Sequence, residues 1–277
     1  MSFAASSRRQ GRVIRSDCEI AYEITGQGPP LVFAHGLGGC LLSWFQQVAH
    51  FAPRFTCVTF SHRGFFPSTA PAAGPDPQAY ANDLASLVDE LGLGSISLVC
   101  QSMGGWTGVE YALMRPGSVR KLVLAATTGS IDPRLMRDPE RGRYESWSAE
   151  ASAARDELHA CNIHPAAGER MAREQPAMHL LYRQLNALSG GLDKEALRER
   201  MREMRRRAPG ELAAARCPVL FLAGDEDVVM PPFSAAALAS AVPESRAATI
   251  HGSGHSAYFE RPDMFNALVD AFLAEPA

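Results

Sequence analysis

Three short stretches carry side chains that could together open an acyl bond: "LVCQSMGG" (98–105), "LFLAGDEDVVMPP" (220–232) and "IHGSGHSAYFERPDMFN" (250–266). Such chemistry needs a nucleophile, a base to take its proton and an acid to hold the base in the right tautomer. The first stretch offers two nucleophiles two positions apart, Cys100 and Ser102. The apolar run "SISLVC" leads straight into Gln101 and Ser102, and a helical pattern follows at once, the strand–turn–helix setting of a nucleophile elbow. Ser102 falls at the tip, at a helix N-terminus, where free N–H groups and the helix dipole favour developing negative charge. Cys100 falls at the strand end, facing the packing between strand and helix. Ser102 is therefore expected to attack, in preference to Cys100 and to a serine that only caps a helix. The positions two before and two after the tip need small side chains, and here they are Cys100 and Gly104. The motif reads C-x-S-x-G, and the larger residue puts some strain or a slight shift of the turn in play.

The other stretches supply the partners. "FAHGLGG" ends a strand at His35, and its glycines let the backbone come close to Ser102. The N–H groups of Leu37 and Met103 are the expected oxyanion donors. An ordinary Gly-rich turn is the alternative, and a phosphate loop is expected less than either, because there is no G-K-[ST] and the spacing is not G-x-G-x-x-G. Of the acids after "LFLAG", Asp227 is expected to orient the base, with Asp225 and Glu226 in a solvated turn. Of the two histidines, His251 closes a strand. His255 follows a flexible "GSG" turn and can reach over the sheet edge, so it is the expected base.

These residues need a scaffold that brings strand ends together. "PPLVFAHG", "FTCVTFSHRG", "SISLVC", "KLVLAAT" and "CPVLFLAGDED" are short continuous apolar runs, suited to strands buried on both faces of a parallel sheet. "GRVIRSDCEIAYEITG" reads as two further strands joined by a turn at Ser16 and Asp17. Between them lie helical patterns, such as Tyr80, Leu84, Leu87, Val88 and Leu91 on one face. Strand and helix alternate, which predicts an α/β fold, a mostly parallel twisted sheet flanked by helices. After Ile131 the strand signal stops for about 80 residues, far beyond ordinary α/β loop lengths. Residues 133–210 are thus expected to form a helical insertion, with residues 1–132 and 211–277 making the core.

The chain has 277 residues and a net charge of −3, with no basic footprint for nucleic acid. Residues 133–210 carry 15 of the 27 basic side chains against 12 acidic ones, too small an asymmetry to name a substrate charge. The run "LRERMREMRRRAPG" reads as a solvated amphipathic helix and not as an anion site. No apolar run approaches the ~18 residues of a membrane span, and "MSFAASSRRQGR" does not read as a secretory signal. The six cysteines are scattered without metal-ligand spacing, and "HACNIH" (159–164) reads as ordinary surface. A reduced, cytoplasmic protein is expected, a monomer or homodimer, without metal or cofactor.

From about Ile20 to Leu273 the chain resembles small, cap-bearing members of the α/β-hydrolase superfamily. "HGLGG", "HRGFFPS", "CQSMGGW", "GDEDVVMP" and "GSGHSAYFERPDMFN" carry the likeness, and the order Ser102, Asp227, His255 is that of this superfamily. The resemblance implies a Ser102–His255–Asp227 triad and places residues 133–210 as a cap over the site. The tail is similar to those of bacterial esterases, enol-lactone hydrolases and carbon–carbon hydrolases. Two departures matter. In "SHRGFFPS", Ser61 stands for the usual acid, so Arg63 is expected to lose a partner, and Phe66 stands for a glycine, placing a ring near the pocket mouth. Ser256, where carbon–carbon hydrolases commonly have Trp, weighs against that chemistry. Phe66, Met178, Tyr182 and Met230 are the candidate pocket residues. Met178, Leu181, Leu185 and Leu188 share one helical face whose first expected role is core packing. The expected activity is hydrolysis of a small, hydrophobic carboxylic ester or lactone, with carbon–carbon hydrolysis the alternative and a ligand-binding receptor behind both.

Overall fold

In a computed structural model, which describes residues 8–137 and 140–276, the apolar runs form one eight-stranded sheet. The strands are β1 (Arg8–Ile14), β2 (Glu19–Thr25), β3 (Pro30–Ala34), β4 (Thr56–Phe60), β5 (Ile96–Gln101), β6 (Val119–Ala125), β7 (Val219–Gly224) and β8 (Ser245–Ile250). Their order across the sheet is β1-β2-β4-β3-β5-β6-β7-β8. β1 and β2 run antiparallel at one edge, and the six strands from β4 to β8 are parallel. The alternating run "CEIAYEI" thus becomes a partly buried strand covered at the sheet edge by β1, and the continuous runs become the two-sided centre.

Alternate side chains of each central strand feed two cores. On one face Val32, Leu98 and Cys100 pack with Leu84 and Leu87 of α2 (Tyr80–Glu90), Val109 of α3 (Met103–Met114) and Leu238 of α8 (Ser234–Ala241). On the other, Leu31, Phe33 and Val99 pack with Phe51 of α1 (Phe45–Phe51) and with Phe265, Val269 and Phe272 of α10 (Pro262–Ala274). The helical face read from Tyr80, Leu84, Leu87 and Val88 is buried. A 3-10 turn and α1 stand between β3 and β4, outside the helical patterns named above, with Trp44 and Gln47 buried.

Between β6 and β7 the described chain is helical, with α4 (Glu140–Ala160), α5 (Glu169–Glu174), α6 (Pro176–Ala187) and α7 (Lys194–Met204). Its one described β contact is an isolated bridge between Ile131 and Arg207. A parallel sheet puts all its strand C-termini along one edge, and ligands of open α/β sheets bind beside that edge. The loops leaving β3, β5, β7 and β8 there carry Leu37, Ser102, Asp227 and His255. Among the described residues no helix is long and apolar enough to cross a membrane.

Candidate active site

The turn after β5 is sharp. Ser102 has φ 50° and ψ −115°, a left-handed backbone that costs an ordinary residue roughly 1–2 kcal/mol. The two flanks tolerate this turn differently. A Cβ at Gly104 would overlap the Ala34 carbonyl oxygen and lie 2.9 Å from His35 O, so only glycine fits there. Cys100 instead points toward α3, where the absence of a side chain at Gly108 leaves its thiol room: a Cβ on Gly108 would lie 2.5 Å from Cys100 Sγ. The glycine missing two residues before Ser102 is thus replaced by one on the facing helix turn. Burial pushes the Cys100 thiol pKa far up, which leaves it a packed, inert group.

Around Ser102 the structure assembles a continuous line. His255 Nε2 lies 2.9 Å from Ser102 Oγ, and His255 Nδ1 lies 2.8 Å from Asp227 Oδ2. The other oxygen of Asp227 accepts the N–H groups of Val229 (2.7 Å) and Met230 (2.9 Å), which aims the carboxylate. Asp227 and His255 are buried, while Ser102 keeps partial access to solvent. Asp225 and Glu226 go elsewhere. Asp225 binds His251, and Glu226 pairs with Arg170.

Three supports were not read from the sequence. Gln101 donates through Nε2 to the His255 carbonyl at 3.1 Å, tying the turn after β5 to the loop that carries His255. Glu260, at the end of the short helix α9 (Ala257–Glu260), accepts the N–H groups of Gly254 (2.8 Å) and Ser256 (3.0 Å), one on each side of His255. Burial pushes its carboxyl up to about 8, against the two N–H bonds that favour the ionised form. His35 and His62 form a buried pair behind the β3 loop. His62 N–H donates to His35 Nε2 at 3.0 Å, and His62 Nε2 sits 2.7 Å from Thr107 Oγ1. Burial lowers His35 to about 4 and His62 well below its ordinary value, so both are neutral. Only the close packing of the loops after β3 and β4 brings these rings together, and no local spacing announces it.

That pair also fixes the loop beside Ser102. His35 Nδ1 lies 2.7 Å from the Gly36 carbonyl oxygen, which also accepts the Gly39 N–H at 3.0 Å. In a planar trans peptide the Leu37 N–H must then point the opposite way. Gly36 stands against the elbow, where a Cβ would be 3.1 Å from Ser102 Cβ. Met103 opens α3, and the first N–H groups of a helix have no acceptor within it.

The pocket candidates divide. Met230 is buried, with its sulfur 3.9 Å from Tyr144 OH. Tyr182 is buried beside the β3 loop, and its hydroxyl lies 3.2 Å from Ser256 Oγ. Met178 and Leu181 pack with buried Leu185 into the core formed with α1 and α10, while Leu188 is exposed. Phe66 is 45% exposed, whereas Phe65 is buried in a cluster with Met103, Trp106, Leu197 and Met201. Phe65 is thus the ring packed against Met103, while the Phe66 ring stays partly open to solvent. Arg63 does not lack a partner either. Its guanidinium holds Asp83 at 2.6 Å and Asp17 at 2.8 Å, and the Ser61 hydroxyl instead links Leu41 N–H to the Phe66 carbonyl. The expected gap is closed by acids 20 and 46 residues away in sequence.

Residues 29–262 match a family model described as the alpha/beta hydrolase fold. A putative non-heme bromoperoxidase, BpoC, of Mycobacterium tuberculosis is 29% identical, the match covering 92% of this chain and 97% of the relative. A putative carbamate hydrolase, RutD, of Azorhizobium caulinodans is 26% identical over 94% of this chain and 96% of its own. A thermophilic esterase from Thermogutta terrifontis superposes with a TM-score of 0.75 and 26% identity, covering 96% of this chain and 98% of the esterase.

Proposed function

Because the chain belongs to the α/β-hydrolase fold family, we propose that it is a serine hydrolase of small, apolar carboxylic esters or lactones. One observation carries this reading: the unbroken line Asp227–His255–Ser102, with links of 2.8 and 2.9 Å. In the proposed mechanism His255 Nε2 takes the Ser102 proton as Oγ attacks the carbonyl carbon, while Asp227 holds the Nδ1–H tautomer and stabilises the imidazolium. The oxyanion develops between the Leu37 and Met103 amides, each such donor being worth roughly 10²–10³ in rate. His255 then protonates the leaving alkoxide, and water attacks the acyl-enzyme by the same route in reverse. The helices between β6 and β7 act as the cap. Leu197 and Met201 of α7 meet Phe65, Met103 and Trp106 beside the elbow, which supports an apolar acyl group. The 26% identity to an esterase of known structure supports an ester as the bond cleaved.

The test is intact-mass spectrometry after treatment with a fluorophosphonate, followed by kinetics on p-nitrophenyl esters, lactones and a dienone. One adduct that is absent in Ser102→Ala, with esters or lactones turned over faster than the dienone, is the expected outcome. Labelling that survives in Ser102→Ala but disappears in Cys100→Ala overturns the nucleophile. Faster dienone cleavage overturns the bond assignment.

A further inference from the structure

His255 leaves the chain from the turn "GSGH", yet it keeps a partner on each ring nitrogen, at 2.8 and 2.9 Å. A glycine-rich turn has wide backbone freedom, so something must fix the direction of that side chain. Glu260 holds it. Its Oε2 accepts the Gly254 N–H at 2.8 Å, and its Oε1 accepts the Ser256 N–H at 3.0 Å. The Ser256 N–H and the His255 carbonyl belong to one planar peptide. Glu260 grips one end of that plane and Gln101 Nε2, at 3.1 Å, grips the other.

The carboxyl is dry, being part of a residue only 2% exposed. Both ends of α5 cover it. Gln175 Nε2 donates at 3.0 Å to the Glu260 carbonyl, and a Cβ at Gly168 would lie 3.3 Å from Oε2. The charges of α5 are engaged elsewhere, since Arg170 pairs with Glu226 and Glu174 pairs with Arg261. Arg261, the next residue, also donates Nε to the Gly252 carbonyl at 2.9 Å. The remaining titratable neighbours are the buried phenols of Tyr182 and Tyr258 and the buried carboxylate of Asp227.

This setting makes the grip depend on charge. Only an ionised carboxyl offers both oxygens as full acceptors, and a proton on either one weakens a bond to the turn. Burial, followed by the charge of Asp227, pushes the Glu260 carboxyl up to about 8, against the two N–H bonds and Arg261.

We propose that Glu260 is a positioning residue for the base, its ionised carboxylate clamping the turn so that the His255 ring stays between Asp227 and Ser102. This rests on the serine-hydrolase reading and adds control of that site by the charge of a residue outside the triad.

Glu260→Gln fixes the neutral form, with one acceptor and one donor where the carboxylate has two acceptors. On p-nitrophenyl butyrate, with buffer hydrolysis subtracted, its kcat at pH 9 should be roughly 10–100-fold below that of the parent. KM should stay within about twofold. The ratio of the two kcat values should then fall toward one between pH 9 and 6.5, because the parent loses its own clamp through about 8. A ratio that is constant with pH, a loss confined to KM, or no loss at pH 9 overturns the proposal. If the glutamine variant does not fold, Glu260→Asp, one methylene short of both N–H groups, should lose kcat at pH 9 with KM unchanged, and full activity overturns the clamp. If Ser102 takes no fluorophosphonate, the hydrolase reading fails separately, and the clamp is read by NMR. The Gly254 and Ser256 amide protons and His255 Hε1 should shift together through about pH 8 in the parent and not in Glu260→Gln. Amide protons that ignore pH in the parent, or shift equally in both proteins, overturn it.

Discussion

His251 and His255 stand four residues apart, and each presents Nδ1 to an aspartate of the loop after β7. The distances hardly differ, 2.9 Å to Asp225 and 2.8 Å to Asp227. Their surroundings do. The His251 and Asp225 side chains are 77% and 37% exposed, against 4% and 1% for His255 and Asp227. An exposed pair is screened by water and contributes less than about 1 kcal/mol. The buried pair sits in a low dielectric, has its carboxylate aimed by two backbone N–H groups, and delivers Nε2 to a hydroxyl. The Asp–His bond is thus nearly the same in both pairs, and burial and a third partner set them apart. The two flanks of Ser102 repeat the lesson, since Gly104 faces rigid backbone and Cys100 faces a space left by another glycine.

The largest expected effect separates the two pairs. Asp227→Asn should lower kcat/KM on an activated ester by roughly 10³–10⁴, by analogy with other triads, while Asp225→Asn stays within about twofold. Comparable losses in both variants would falsify the division of roles.

The flanks of the elbow should part next. Gly104→Ala pushes a methyl into the Ala34 carbonyl and should cost about 3 kcal/mol or more, or prevent folding, read from urea midpoints and soluble yield. Cys100→Gly removes a buried thiol and loosens a strand, a cost of about 1–2 kcal/mol. It should still label fully with fluorophosphonate. A Cys100→Gly protein that folds but does not label would show that the cysteine shapes the elbow.

The smallest effect belongs to the buried histidine pair. His35 lies at about 4 in the folded chain, below the ~6.5 of an unfolded histidine, and His62 is shifted in the same direction. Between those values the unfolded state binds the extra protons. Their contribution to stability is therefore complete above about pH 6.5 and is lost as pH falls toward 4. Urea midpoints measured from pH 7.5 to 4.5 should fall, with a shallower slope in His62→Gln. An unaltered slope in His62→Gln would remove the buried pair from the acid response.

Much of this molecule could be read from the chain because the signals are local. A continuous apolar run implies two buried faces, so "LVFA", "SLVC" and "VLFLAG" place the central strands and their ends. A serine at a strand-to-helix turn, an acid after the next apolar run and a histidine after "GSG" follow from the same punctuation, and the structure brings Ser102, His255 and Asp227 into one line. What periodicity records is burial, not the partner on the far side. Phe65 and Phe66 are chemically identical neighbours, and only the packed loop decides which ring is buried. Arg63 finds Asp83 and Asp17, and Glu260 grips both sides of His255, through contacts that no short window contains. In "LRERMREMRRR" the alternating charges imply a solvated helix, and Arg198, Arg200 and Arg202 are indeed exposed, but only the fold sends Arg205 to the Gly129 carbonyl. The amino-acid order by itself determined the strands, the turn and the chemical types available at the sheet's edge. The tertiary structure alone decided which charges meet and which are dry, because electrostatic strength depends on distance and burial across the whole fold.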